Sequence, residues 1–152
     1  MSACLFLFPL AVGIITSSIE GTAAIVNACQ RSKRGRSEKI QTRFADNVIL
    51  SGTLDEMCVS YTRKGDSIVA DFGEGKIEYS RDSVNDPYTM EIYGVKDMNK
   101  VACNVETVDK EYGSNVQQYT YNRVKNNLPD NMSMESEQIL EDDSILLTIN
   151  VD

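Results

Sequence analysis

An α+β fold is what these 152 residues predict: an antiparallel sheet with two helices packed on one face, preceded by an N-terminal apolar helix. Three observations carry that expectation. Short alternating stretches are grouped in runs rather than interleaved one-to-one with helices. Only two stretches after residue 38 space their apolar residues as a helix does. The first thirty residues, rich in Leu, Ile, Phe and Ala, carry a single charge, Glu20.

Taken in order, residues 1–30 are the apolar helix, 31–38 a basic collar and 39–152 the α+β domain. Lys39 to Phe44 alternates through Ile40, Thr42 and Phe44 and reads as a strand. Asp46 is placed to cap a helix carrying Val48, Ile49, Leu50, Leu54 and Met57. Val59 to Arg63 and Ser67 to Phe72 flank Lys64-Gly65-Asp66, a hairpin turn. Lys76 to Ser80 alternates through Ile77 and Tyr79, Arg81 to Pro87 is a polar loop, and Tyr88 to Tyr93 alternates again before Gly94. Met98, Val101, Ala102, Val105 and Val108 then fall at helical spacing. Gly113 interrupts this helix, and Tyr121, Val124 and Leu128 resume it before Pro129. Ser133 to Leu140 and Ser144 to Val151 form a last strand pair around Asp142-Asp143.

Net charge is −8, but it is unevenly spread. Residues 1–30 hold −1 and residues 31–43 hold +5, which leaves −12 for 44–152. That acidic balance excludes a nucleic-acid coat, which needs a basic face. Histidine is absent, so Ser-His-Asp and Cys-His nucleophiles and His-ligated metals are excluded.

The head admits three readings. A secretory signal peptide would be cleaved near Ala24 and release the body, but no basic residue precedes the apolar run. A membrane anchor is favoured by the basic collar after it, which keeps the body cytoplasmic. A helix that packs on partners is the third. A span needs about 20 apolar residues, and one of that length includes Glu20. Gly13, Ser17 and Gly21 recur every four residues, a spacing that lets helices approach closely with Glu20 turned inward. The collar residues Arg31, Lys33, Arg34 and Arg36 have no interleaved aromatics for base stacking and suit anionic lipid headgroups.

Catalytic and metal signatures are not found. Cys4, Cys29, Cys58 and Cys103 form no C-x-x-C pair, and Cys58 and Cys103 fall where core residues are expected. Gly73-Glu74-Gly75-Lys76 lies between strands, as a hairpin turn does, and not before a phosphate-binding helix. The acidic clusters Asp55-Glu56 and Glu141-Asp142-Asp143 lack calcium-loop spacing. Tyr112, Tyr119 and Tyr121 lie on the long helix, where core packing and a partner face compete.

The stretch YTYNRVKNNLPDNMSMESEQILEDDSILLTIN, with KIQTRF and YTMEIYG earlier, resembles a small family of unknown function first recognised as a conserved reading frame of chloroplast and cyanobacterial genomes. Its tyrosine-rich helix start corresponds to Tyr119, Tyr121, Arg123, Val124 and Lys125, its acidic strand to Glu135–Glu141 and its turn and apolar strand to Asp142–Leu147. The chain departs from the plastid pattern in its apolar head and in lacking tryptophan in YTMEIYG. Bacterial members are often encoded near AAA-type ATPases, so the resemblance implies a partner or adaptor role.

The expectation is therefore a non-enzymatic interaction protein, without cofactor or metal, whose acidic body meets a protein partner such as an AAA-type ATPase. Membrane lipid and a second copy of the chain are further expected contacts. A membrane-active oligomer assembled through the small-residue stripe is the alternative. On this reading, removing residues 1–30 leaves a soluble, folded body.

Overall fold

The computed structural model describes residues 1–7, 21–35 and 39–152, and every structural statement below concerns these. They form three helices and two antiparallel sheets. The α+β class holds, but the single expected sheet is two. Strands β1 (Ser2–Leu7), β7 (Met132–Ile139) and β8 (Ile145–Val151) form a three-stranded sheet ordered β1-β8-β7. Strands β2 (Lys39–Gln41), β3 (Ser60–Lys64), β4 (Ser67–Asp71), β5 (Lys76–Ser80) and β6 (Thr89–Tyr93) form a five-stranded sheet ordered β2-β6-β5-β4-β3. Two compact units result, and the division falls within the long helix α3 (Met98–Asn126), between Tyr112 and Gly113.

The five-stranded unit is built on strict alternation. Ile40, Ile68, Ala70, Ile77, Tyr79, Met90 and Ile92 are all buried, while the residues between them face outward. Helix α1 (Gly21–Lys33) contributes buried Ile25, Ala28 and Cys29 and approaches β6. Helix α2 (Asn47–Glu56) contributes Leu50 and Leu54. Asp46 caps it as expected, accepting from the Val48 and Ile49 amides at 2.8 and 3.0 Å. The first half of α3 contributes Val101, Ala102, Val105, Val108 and Tyr112, the expected helical stripe. Asp97 caps this helix through the amides of Asn99 and Lys100.

Turn chemistry closes the hairpins. Gly65 and Gly73 adopt positive φ at the β3–β4 and β4–β5 turns. Gly75 is needed for a different reason: a Cβ there would lie 2.7 Å from the Val101 side chain, which is fully buried. Gly75→Ala is expected to cost about 1–3 kcal/mol by overpacking. A chemical-denaturation midpoint unchanged from the parent chain would refute that close approach.

In the three-stranded unit, β1 pairs with β8 from Ser2 opposite Asn150 to Leu7 opposite Ile145. Leu7, Leu147 and Ile149 are buried. Strand β7 pairs on the other side of β8, with an irregularity between Met134 and Ser136. The β7–β8 turn follows the expected site, with Asp143 at φ 62° and Asp142 accepting from the Ser144 amide. Gln117 from α3 donates to the Leu7 and Asp143 carbonyls at 3.0 and 2.8 Å.

Four expectations are corrected. Ser2–Leu7 is a strand, not the start of an apolar helix. The pairing that makes it one lies about 140 residues away along the chain, beyond any local pattern. Gly113 does not interrupt α3, which runs unbroken for 29 residues. Cys58 is exposed at φ 57° just after α2, and Cys103 lies on the outer face of α3, so neither is a core thiol. Finally, part of the head is core: Ile25 and Cys29 are fully buried in the five-stranded unit.

Candidate functional site

Gly13, Ser17, Glu20 and Arg36 lie outside the described residues, so the small-residue stripe is represented only by Gly21, which opens α1. Arg31 and Lys33 occupy the last turn of α1 and Arg34 follows it, all exposed. Their charges sit where a helix C-terminus favours cations. Among the described residues no helix is long and apolar enough to cross a membrane.

The three tyrosines separate. Tyr112 is only 3 % exposed and packs against Phe44 with ring centroids 4.5 Å apart. Its hydroxyl accepts from the amides of Ala45 and Asp46, both at 3.1 Å. It therefore anchors the entry to α2 and offers no partner surface. Tyr119 is 52 % exposed. Tyr121 is half-buried and donates to the Glu137 carboxylate. It lines a groove of about 590 Å³ with Gln118, Glu137, Ile139 and Ile145 in the three-stranded unit.

A second groove, of about 630 Å³, lies in the five-stranded unit. Its floor is the outward face of the sheet near β2, β5 and β6, with Lys39, Gln41, Glu78, Ser80 and Thr89. Its wall is the polar loop, with Arg81, Asp82, Asp86 and Pro87. Strand register sets the order across the floor. Lys39 is opposite Glu91, and Glu91 is opposite Glu78. Two carboxylates thus face each other on neighbouring strands, an arrangement that is ordinarily destabilising.

What holds the wall is a constellation that sequence reading missed. Arg81 donates through Nε and Nη2 to the Asp66 carboxylate and through Nη1 to the Ala45 carbonyl at 2.7 Å. Its guanidinium carbon lies 4.3 Å from the Tyr88 ring centroid. Tyr88 donates its hydroxyl to the Asp66 backbone carbonyl at 2.8 Å and lies 3.0 Å from the carboxylate. Asn47 adds a donor at 3.2 Å. The β3–β4 turn, the α2 entry and the 81–88 loop are thereby tied to one carboxylate. Arg81 holds the Asp66 carboxyl down at about 2. Burial, and then the bond to Asp66, pushes the Tyr88 phenol up to about 12. Because Arg81 is fully engaged, its charge is not available to a ligand, and the other charged residues that line the groove are Lys39, Glu78, Asp82 and Asp86. Only the turn glycine and the polar loop were visible in the sequence. The bond from 66 to 81 joins residues in different hairpins and has no local signature.

Under the sheet, Tyr79 and Asp109 carry polar atoms without hydrogen-bond partners among the described residues. The Tyr79 ring is fully buried against Phe44, with centroids 5.9 Å apart. Burial raises its phenol, and the Asp109 charge adds to that. Burial pushes the Asp109 carboxyl up to about 6, against the opposing effect of Arg43. A carboxyl raised by folding stabilises most below its unfolded value, near pH 4, and loses that contribution as pH rises through about 6. Asp109→Asn is expected to flatten stability between pH 4 and 6, measured by urea denaturation. Tyr79→Phe is expected to stabilise by about 1 kcal/mol, since it removes an unsatisfied buried hydroxyl. A destabilised Phe variant would show that the hydroxyl has a partner.

Among the described residues no group of three or more acidic or cysteine side chains is placed to hold a metal ion. No family model matches this chain, and neither the curated proteins nor the solved structures give a match.

Proposed function

We propose that this chain is a non-enzymatic interaction protein that presents the outward face of its five-stranded sheet to a basic segment of a protein partner. The single observation that supports the reading is the groove between Lys39 and Gln41 of β2, Glu78 and Ser80 of β5, Thr89 of β6 and the loop residues Arg81, Asp82, Asp86 and Pro87, open on an otherwise polar face. Its wall is pinned by Asp66, Arg81 and Tyr88, so it is rigid before a partner arrives. Glu78 and Glu91 occupy opposite register positions on β5 and β6, on the outward face of the sheet, so a partner cation placed there would meet two carboxylates. A partner lysine or arginine is the complement to that arrangement.

Membrane association rests on the apolar composition of residues 8–20 and on exposed Arg31, Lys33 and Arg34. An AAA-type ATPase as the partner rests on the family resemblance alone.

Charge reversal tests the reading. Glu78→Lys with Glu91→Lys in the full chain is expected to keep the circular dichroism of the parent and to lose at least about tenfold in affinity for a protein that co-isolates with it, which is about 1.4 kcal/mol. Unchanged affinity with the fold retained refutes this surface.

A further inference from the structure

Ala45 is the point where the groove wall is tied to the core of the five-stranded unit. Its carbonyl accepts from Arg81 Nη1 at 2.7 Å, and its amide donates to the Tyr112 hydroxyl at 3.1 Å. The Asp46 amide donates to the same hydroxyl at 3.1 Å, and the Asp46 carboxylate caps α2. Phe44 packs on the Tyr112 ring with centroids 4.5 Å apart and lies 5.9 Å from the buried Tyr79 ring. A run of packed rings therefore joins the wall to the inner face of β5.

Asp109 stands at the root of that run. It lies one turn before Tyr112 on α3. Its Oδ1 is buried and has no hydrogen-bond partner among the described residues, and the same is true of the Tyr79 hydroxyl. The groups that act on Asp109 come from three elements. Tyr79 faces it from β5; burial raises that phenol and the Asp109 charge adds to the rise. Arg43, between β2 and α2, opposes the effect of burial on Asp109. On α3 itself, Glu106 and Tyr112 lie one turn to either side. Burial raises the Tyr112 phenol, against the bonds it accepts from the Asp46 and Ala45 amides, and the charges of Asp46 and Arg81 act on it in opposite directions.

We infer that Asp109 is a proton switch on the groove wall: neutral, it lets Tyr112 hold the Ala45 and Asp46 amides, and ionised, it loosens that hold. The cause is the buried, unpartnered oxygen. A carboxylate there costs more than a neutral carboxyl, and it recovers water by outward movement of its own turn of α3. Tyr112 is on the next turn and moves with it. Burial pushes the Asp109 carboxyl up to about 6, so the change spans roughly pH 5 to 7, with the wall tighter on the acid side. As control of binding, the switch rests on the groove being the partner surface. As control of the wall, it does not.

The test uses the full chain and reads amide exchange at Ala45 and Asp46 by nuclear magnetic resonance, relative to an unstructured chain at the same pH. From about pH 5 to about pH 7 their protection is expected to fall by about tenfold or more. The amides of Ile68 and Ile77, in the β4–β5 ladder, are expected to change less. In Asp109→Asn and in Asp109→Ala, each with the circular dichroism of the parent, protection at Ala45 and Asp46 should stay level. Constant protection in the parent, the same fall in both variants, or an equal fall at Ile68 and Ile77 would overturn the switch. Affinity for the protein that co-isolates with the chain should fall in step in the parent and not in the variants. The same pH dependence of affinity in all three would overturn its control of binding. Failure of the groove reading looks different: affinity survives charge reversal at Glu78 and Glu91 while the exchange result stands.

Discussion

A chain lacking residues 1–30 is expected not to fold. The deletion removes β1, and with it every pair that β1 makes on one side of β8. It also removes Ile25, Ala28 and Cys29 from beneath the five-stranded sheet. Ile25 and Cys29 are fully buried, and each large side chain taken from such a site costs about 2–5 kcal/mol. Domain stability as a whole is of order 5–15 kcal/mol, so losing a helix face and a strand together exceeds what the fold can absorb. The expected observation is an insoluble or dye-binding product with amide protons unprotected from exchange. A soluble fragment with native-like exchange protection in β4, β5 and β6 would show that the head is dispensable, as its composition alone implied.

Arg81→Ala is expected to destabilise the five-stranded unit by about 3 kcal/mol, the low end for a broken buried ion pair. The Arg81 side chain is only 4 % exposed, whereas Asp66 is 33 % exposed, so water recovers part of the lost interaction. The substitution leaves the Asp66 carboxylate with Asn47 and Tyr88 and deprives the Ala45 carbonyl of its donor. Arg81→Lys should recover little, because an ammonium cannot reproduce the two-pronged contact or the stacking on Tyr88. Asp66 also sets the acid limb of stability. Its carboxyl is lowered by folding, so the contribution is present above its unfolded value, near pH 4, and fades as pH falls toward about 2. Asp66→Asn should remove that limb in acid titrations followed by circular dichroism. Asp109 acts with the opposite sign at higher pH, so the parent chain should be most stable near pH 4 if these two groups dominate.

Much of the five-stranded unit was legible in the sequence. Alternation through Ile40, Ile77, Tyr79, Met90 and Ile92 marks its inner face, the Asp46 cap marks α2, and the Val101–Val108 stripe marks α3. These are local signals, and each agrees with the tertiary outcome. The three-stranded sheet was less legible. Its β7–β8 hairpin has a local turn signature, but β1 does not, since Leu5, Phe6 and Leu7 run together as they would in an apolar helix. The groove was half legible. Alternation fixes which residues face outward, so Lys39, Glu78 and Glu91 can be assigned to one face. Their neighbourhood depends on register, and the wall depends on Arg81 reaching a turn fifteen residues back. Tyr112 illustrates the same limit. Its spacing fits a core stripe, yet its hydroxyl is used on the amides that begin α2.

The central claim is that the groove face of the five-stranded sheet meets a protein partner. The most direct measurement places a photoactivatable amino acid at Ser80, on the groove floor, and separately at Thr107, on the exposed face of α3, in the full chain within cells that make it. Illumination should yield a discrete adduct from Ser80, containing one partner polypeptide joined through a lysine- or arginine-bearing segment, and none from Thr107. Adducts of equal yield at both positions, or none at Ser80, would contradict the account.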